Sequence, residues 1–209
     1  MKRKMKKTLE QEMEKHLSLY GVVYFVIEPT GELGLIDGTG CTVSDYEVIP
    51  ETVYIGMDAF SKCTGIRSVD MSGSRVKWIH TCAFFGCENL ESVYFPECLV
   101  KVGCSAFEGC PLKELKLPGS LDMIEPGAFS FNNELEEITI PQGVTMIGDM
   151  AFEGCPKLSH AYLLPSIDHI GSNVFDRCGA LKAIFVEQGE EEKIKRELSP
   201  GMQGKVMAV

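Results

Sequence analysis

The chain repeats itself. Aligned on an Ala-Phe pair, Phe60, Phe84, Phe107, Phe129, Phe152 and Phe175 lie 24, 23, 22, 23 and 23 residues apart, five following Ala and the last following Val174. Three residues after each Phe stand Cys63, Cys87, Cys110, Asn132, Cys155 and Cys178. Four residues before the Ala (or Val174) stand Ile55, Ile79, Val102, Ile124, Ile147 and Ile170; three further upstream stand Thr52, Val76, Leu99, Leu121, Val144 and Ile167. After the Cys comes a segment of alternating apolar positions, as in "LESVYFP", "LKELKLP", "LEEITIP", "LSHAYLLP" and "LKAIFV". Written once, the unit is L-x-x-I-x-I-P-x-x-V-x-x-I-G-x-x-A-F-x-x-C-x-x. No single copy can bury its apolar face alone, so the period demands a stack of similar turns.

A period near 23 with a strand-like L-x-x-I-x-I segment fits a leucine-rich solenoid, each repeat giving one strand to a parallel sheet and a return segment behind it. With strands about 4.8 Å apart, six repeats predict one continuous sheet roughly 25 to 30 Å long. Pro96, Pro118, Pro141 and Pro165 have no N–H for a ladder and mark where the sheet strand stops. Gly56, Gly103, Gly148 and Gly171 are expected to permit the turn before the Ala-Phe pair by adopting positive φ.

The unit resembles the BspA-like leucine-rich repeat family, also called leucine-rich repeat type 5. "IPQGVTMIGDMAFEGCPKL" (140–158) and its copies carry the resemblance, over roughly residues 50–186. His80 and Glu125 stand where the pattern has Gly, and Asn132 where it has Cys. The fold expected is an α/β solenoid, a right-handed superhelix with a parallel β-sheet on one face, about six repeats and terminal caps. The resemblance implies surface or secreted proteins of adhesion and host interaction.

Outside the repeats, residues 20–49 hold two apolar runs around "EPTG", which read as a hairpin in an N-terminal cap. Residues 187–209 show an acidic start, later basic residues and then Pro200, the signals of a helix in a C-terminal cap, with Ile194 and Leu198 placed to dock on the last repeat. Residues 1–19 form a charged helix or arm with Met5, Leu9, Met13 and Leu17 at i+4 steps.

A net charge of −10 over 209 residues argues against a nucleic-acid or anionic-membrane partner, since phosphate binding needs clustered cations. After "MKRKMKK" the chain turns acidic instead of apolar, so it reads as neither a secretion signal nor a membrane span, and a cytoplasmic location is expected. In a reducing compartment, nine cysteines argue against a disulfide framework. Five are accounted for as one ladder position of the repeat.

The remaining chemistry is thin. His80, Cys82 and Cys87 of "HTCAFFGC" fall short of the four ligands of structural zinc, and Cys104 and Cys110 fail for the same reason, so no metal or other cofactor is expected. A cysteine enzyme would have to use Cys41, Cys82, Cys98 or Cys104 with a neighbouring histidine, and none of His16, His80, His160 and His169 is placed beside one by the repeat. The run Glu190, Glu191 and Glu192 suits a helix N-terminus.

What is left is surface. In L-x-x-I-x-I the intervening residues face outward, giving one lane of Asp70, Tyr94, Lys116, Thr139, Tyr162 and Phe185, and beside it a lane of Ser68, Ser92, Glu114, Glu137, His160 and Ala183. Aromatics concentrate at binding hot spots, although they also favour strands for their own sake. The reading is a non-enzymatic scaffold binding another protein on this face. Its alternatives are a surface adhesin, an intracellular immunity or inhibitor protein, and a cysteine-dependent enzyme.

Overall fold

The computed structural model describes the backbone of residues 2–209 and the side chains of residues 7–209. The chain starts with α1 (Lys2–Tyr20) and an antiparallel hairpin, β1 (Val23–Ile27) and β2 (Glu32–Asp37). Short strands then alternate between two faces: β3 (Asp45–Glu47), β4 (Thr52–Ile55), β5 (Ser68–Asp70), β6 (Trp78–Ile79), β7 (Ser92–Tyr94), β8 (Lys101–Val102) and β9 (Met123–Ile124). The alternation continues through β10 (Glu137–Ile140), β11 (Met146–Ile147), β12 (His160–Leu163), β13 (His169–Ile170) and β14 (Ala183–Val186). The chain closes with α2 (Glu191–Glu197), α3 (Pro200–Gln203) and β15 (Val206–Ala208). Among the described residues, helix is confined to these three end segments, and the repeats themselves wind as a β-solenoid.

The sheet is not confined to one side. A back sheet of eight strands runs unbroken in the order β1-β2-β4-β6-β8-β9-β11-β13, all parallel except the hairpin. It is built from the short segments that end at Ile55, Ile79, Val102, Ile124, Ile147 and Ile170, which the period alone assigns to a return segment. The L-x-x-I-x-I segments form the front.

Between the two, the repeated apolar residues make a continuous core. Phe60, Phe84, Phe107, Phe129, Phe152 and Phe175 are fully buried and stack face to face, with centroids 4.9–5.8 Å apart. The ladder position has a defined task. Cys87, Cys110, Cys155 and Cys178 each send Sγ to the carbonyl of the Phe one repeat earlier, at 3.0, 3.1, 3.5 and 3.2 Å. Asn132 does the same with Nδ2 to Phe107 O at 2.9 Å, so a small donor is what the position requires.

The Ala-Phe segment forms a third ladder. Two residues before every Phe, and two after it, the backbone is left-handed: Asp58, Cys82, Ser105, Gly127, Met150 and Asn173, then Lys62, Gly86, Gly109, Phe131, Gly154 and Arg177. Alternating hand turns every second N–H toward the next repeat, as in Phe84 N–H to Ala106 O at 2.7 Å and Phe107 N–H to Ala128 O at 2.8 Å. These bonds offset the roughly 1–2 kcal/mol that each non-glycine residue loses in this conformation.

Positive φ is therefore not what Gly56, Gly103, Gly148 and Gly171 provide, contrary to the expectation from their place before the turn. They provide room. A Cβ on Gly103 would lie 2.7 Å from His80 C and 2.8 Å from Ile79 O, and one on Gly148 would lie 2.4 Å from Pro126 N.

The front sheet, expected to be continuous, is broken. It consists of β3-β5-β7 and of β10-β12-β14-β15, all parallel, with the segment 113–118 between them in neither. The cause is a single residue. Two residues separate the ladder position from the next repeated Leu at Cys87–Leu90, Asn132–Leu135, Cys155–Leu158 and Cys178–Leu181, and Leu N–H closes a turn onto the ladder carbonyl at 3.0–3.4 Å. Only Pro111 separates Cys110 from Leu112, so that turn cannot form, and among the described residues the segment that follows is tied to its neighbours by a single backbone bond, Lys113 N–H to Glu91 O at 3.1 Å.

At the start of the stack, α1 lies on the first turn through Leu9, Met13, Tyr20 and the buried His16. Leu17 of the i+4 series is 55% exposed, and the Met5 side chain lies outside the described residues. At the other end Ile194 and Leu198 are buried, and β15 adds a further parallel strand to β14.

Candidate binding face

The front lanes are set by strand register. On one side of the break Glu47, Asp70 and Tyr94 are partners across β3-β5-β7; on the other, Thr139, Tyr162, Phe185 and Met207 are partners across β10-β12-β14-β15. The neighbouring lane has Asp45, Ser68 and Ser92, then Glu137, His160 and Ala183. Lys116 and Glu114 lie between the halves, in a segment that belongs to neither sheet, and pair with each other at 3.3 Å in solvent. The lanes are thus two half-lanes of three and four strands.

Exposure sorts the candidates. Tyr94 is 56% exposed, and Lys116, Glu114, Thr139 and Glu137 are exposed, while Asp70, His160, Tyr162 and Phe185 are half-buried and Ala183 is buried. Tyr162 stacks on Phe185 at 4.9 Å and His160 on the same ring at 5.9 Å, so these three form one slab. His160 Nδ1 lies 2.9 Å from Ser159 Oγ and 3.3 Å from Glu137, which orients the imidazole across the strand. On the other half of the face, Glu91 accepts from Lys113 and Arg67 of the adjacent turns, and both hold its carboxyl below the ordinary range.

A second outward lane, on the back sheet, has no counterpart in the sequence reading. Partnering runs Phe25–Gly34–Tyr54–Trp78–Lys101–Met123–Met146–His169 across all eight strands. The Tyr54 ring covers Gly34, where a Cβ would come within 2.1 Å of it, and Trp78 is 45% exposed. The signal was present, since six of these residues directly precede the repeated Ile or Val, but it is visible only once that segment is known to be strand.

The thiols outside the ladder do not form a catalytic arrangement. Cys41 is buried with Sγ toward Val43 O, and Cys98 points to Val76 O. Burial pushes the Cys82 and Cys104 thiols up, and Glu125, which accepts from Cys104 N–H at 3.1 Å and pairs with Lys101 at 2.5 Å, raises Cys104 further. Among the described residues no cysteine is hydrogen-bonded to a histidine, and no three His, Cys, Asp or Glu side chains are grouped to hold a metal ion. Burial also pushes up Cys110, while Cys155 is raised by its neighbour Cys178 and by burial, as suits closed-in thiols.

Stacked Phe residues, a Cys ladder and a 23-residue turn are matched as a set by the BspA type leucine rich repeat region, in 6 copies, over residues 48–182. The chain belongs to this family. Its fold is shared with a leucine-rich repeat protein from Bacteroides ovatus, at 30% identity and a TM-score of 0.67, covering 78% of this chain and 45% of that one. A leucine rich cell surface protein from Faecalibacterium prausnitzii matches at 22% identity and a TM-score of 0.57, covering 83% and 40%. A T. pallidum leucine rich repeat protein matches at 20% identity and 0.55, covering 78% and 68%. The chain therefore spans less than half the length of the first two. No match was found among curated proteins. BspA-type repeats typically serve as scaffolds, and no described helix is long and apolar enough to cross a membrane.

Proposed function

We propose that this BspA-type repeat is a non-enzymatic scaffold that binds another protein on its front face. The observation that carries this is the placement of aromatics at positions with no packing duty in the core: Tyr94 stands 56% exposed in one half-lane, and the Tyr162–Phe185 pair forms a flat slab in the other. Rigid aromatics on a sheet lose little entropy when covered, which is why they recur as hot spots. Nine unbridged cysteines support work in a reducing compartment, and a net charge of −10 suits the inhibitor form of this reading. The name of the F. prausnitzii protein supports the adhesin form, and cell fractionation separates the two.

Affinity capture followed by mass spectrometry tests the face. Tyr94→Ala with Tyr162→Ala is expected to weaken capture of the partner tenfold or more, about 1.4 kcal/mol per factor of ten. Glu108→Ala with Glu153→Ala, on the turn side, serves as the control. If the control weakens capture and the tyrosine pair does not, the partner binds elsewhere.

A further inference from the structure

The break in the front sheet leaves a groove of about 860 Å³, walled by Lys113–Leu117 on one side and by Glu134, Glu136, Glu137, Ile138 and Thr139 on the other. Among the described residues, Lys113 N–H reaches Glu91 O, and no other backbone hydrogen bond ties 113–117 to either neighbouring turn. The β10 strand, bonded to β12, therefore has a free edge inside the molecule. That edge reads Glu-Ile-Thr-Ile. It has neither Lys nor Pro, the residues with which sheets usually protect an open edge.

The groove lining is net acidic, with Glu114, Glu134, Glu136 and Glu137 against Lys113, which is held by Glu91, and Lys116. Among the described residues, Glu134 is engaged by Lys157 and Glu114 only by the solvent-exposed Lys116, while the Glu136 carboxylate has no cationic partner and Glu137 has His160 alone. We propose that this groove receives an extended, basic segment of a partner protein, which adds as a strand to β10 and sets Lys or Arg side chains against Glu136, Glu137 and Glu114. Strand addition supplies the backbone hydrogen bonds that segment 113–117 does not make to β10, and alternate side chains supply the selectivity. Four residues of β10 span about 13 Å, so four or five peptide residues fill the edge. The inference rests on the front face being the binding face.

The probe is a fluorescently labelled, end-blocked heptapeptide alternating Lys and Val, compared with its Glu-Val counterpart and with a Lys-Val version N-methylated at alternate residues. Anisotropy is expected to show both comparison peptides binding at least tenfold more weakly, and Glu136→Gln with Glu137→Gln lowering the affinity of the parent peptide at least tenfold. Saturating Lys-Val peptide is expected to slow amide hydrogen exchange at 137–140. Unchanged exchange there, or equal binding of the N-methylated peptide, overturns the proposal, because a merely electrostatic contact needs no backbone N–H. Inserting one residue between Pro111 and Leu112 restores the common repeat length and is expected to slow exchange at 137–140 without peptide and to abolish binding. Where the insertion does not fold, the exchange footprint and the Gln pair decide. If Tyr94→Ala with Tyr162→Ala weakens partner capture while the peptide leaves no footprint, the binding face stands and the strand-addition mode falls.

Discussion

At the scale of single residues, the repeat assigns each position a task that residue type alone does not announce. Gly103 and Met150 make the contrast. Gly103 sits in ordinary backbone against His80, so Gly103→Ala inserts a methyl into the turn behind it and is expected to cost about 1–3 kcal/mol. Met150 is 42% exposed and left-handed, with φ 57°, so Met150→Gly is expected to stabilise by roughly 1 kcal/mol, reversing the usual sign of a glycine substitution. Denaturant midpoints at constant m-value measure both. Asn132 satisfies Phe107 O and Phe129 O through Nδ2 but leaves Oδ1 buried without a partner. Asn132→Ala removes the short Nδ2 bond to Phe107 O and leaves that carbonyl only the longer one from Cys110 N–H at 3.4 Å, an expected cost of about 1 kcal/mol, whereas Asn132→Cys, which restores the ladder donor and removes the orphan oxygen, is expected to cost less.

At the scale of elements, α1 meets the stack through apolar packing, through Thr42 at its C-terminal end, and through a buried hydrogen-bonded cluster: His16 Nδ1 to Tyr46 Oη at 2.7 Å and Tyr46 Oη to Tyr24 Oη at 2.7 Å, with Tyr46 packed on Phe60. Burial lowers the His16 pKa from 6.5, against an opposing pull from Glu12 and Glu47 and with help from Lys15. A depressed histidine is neutral in the docked helix, so the contribution is present above about pH 6.5 and is lost as pH falls below that toward the folded value. Amide exchange across residues 7–20, corrected for intrinsic rate, is expected to rise between pH 7.5 and 5, and His16→Gln to flatten that dependence. An unchanged profile in the wild type means that the helix is not pinned by neutral His16. The same scale holds the gap in the sequence reading of the faces. L-x-x-I-x-I announced the front strands through strict alternation, while the back strands β6, β8, β9, β11 and β13, two residues each, are too short for any period-2 signal.

At the scale of the whole molecule, each turn touches only its neighbours, and stability is carried by the Phe column and the ladders along it. Phe107→Ala, in the middle of the column, is expected to cost about 3–5 kcal/mol. Cys63, Cys87, Cys110, Cys155 and Cys178 are buried, so alkylation of the native protein is expected to spare all five while modifying half-buried Cys98. Equal rates would mean that the column opens without unfolding. The sequence by itself determined the solenoid, its period and the residues of its core, because burial of a repeated face requires the same residue types at the same spacing in every turn. It also showed the short interval between Phe107 and Phe129. Only the tertiary structure decided what that interval does. A missing residue can be absorbed in a loop or passed to a strand, and here the back sheet and the Ala-Phe ladder keep their bonds through the third repeat, so the front sheet alone is left to open.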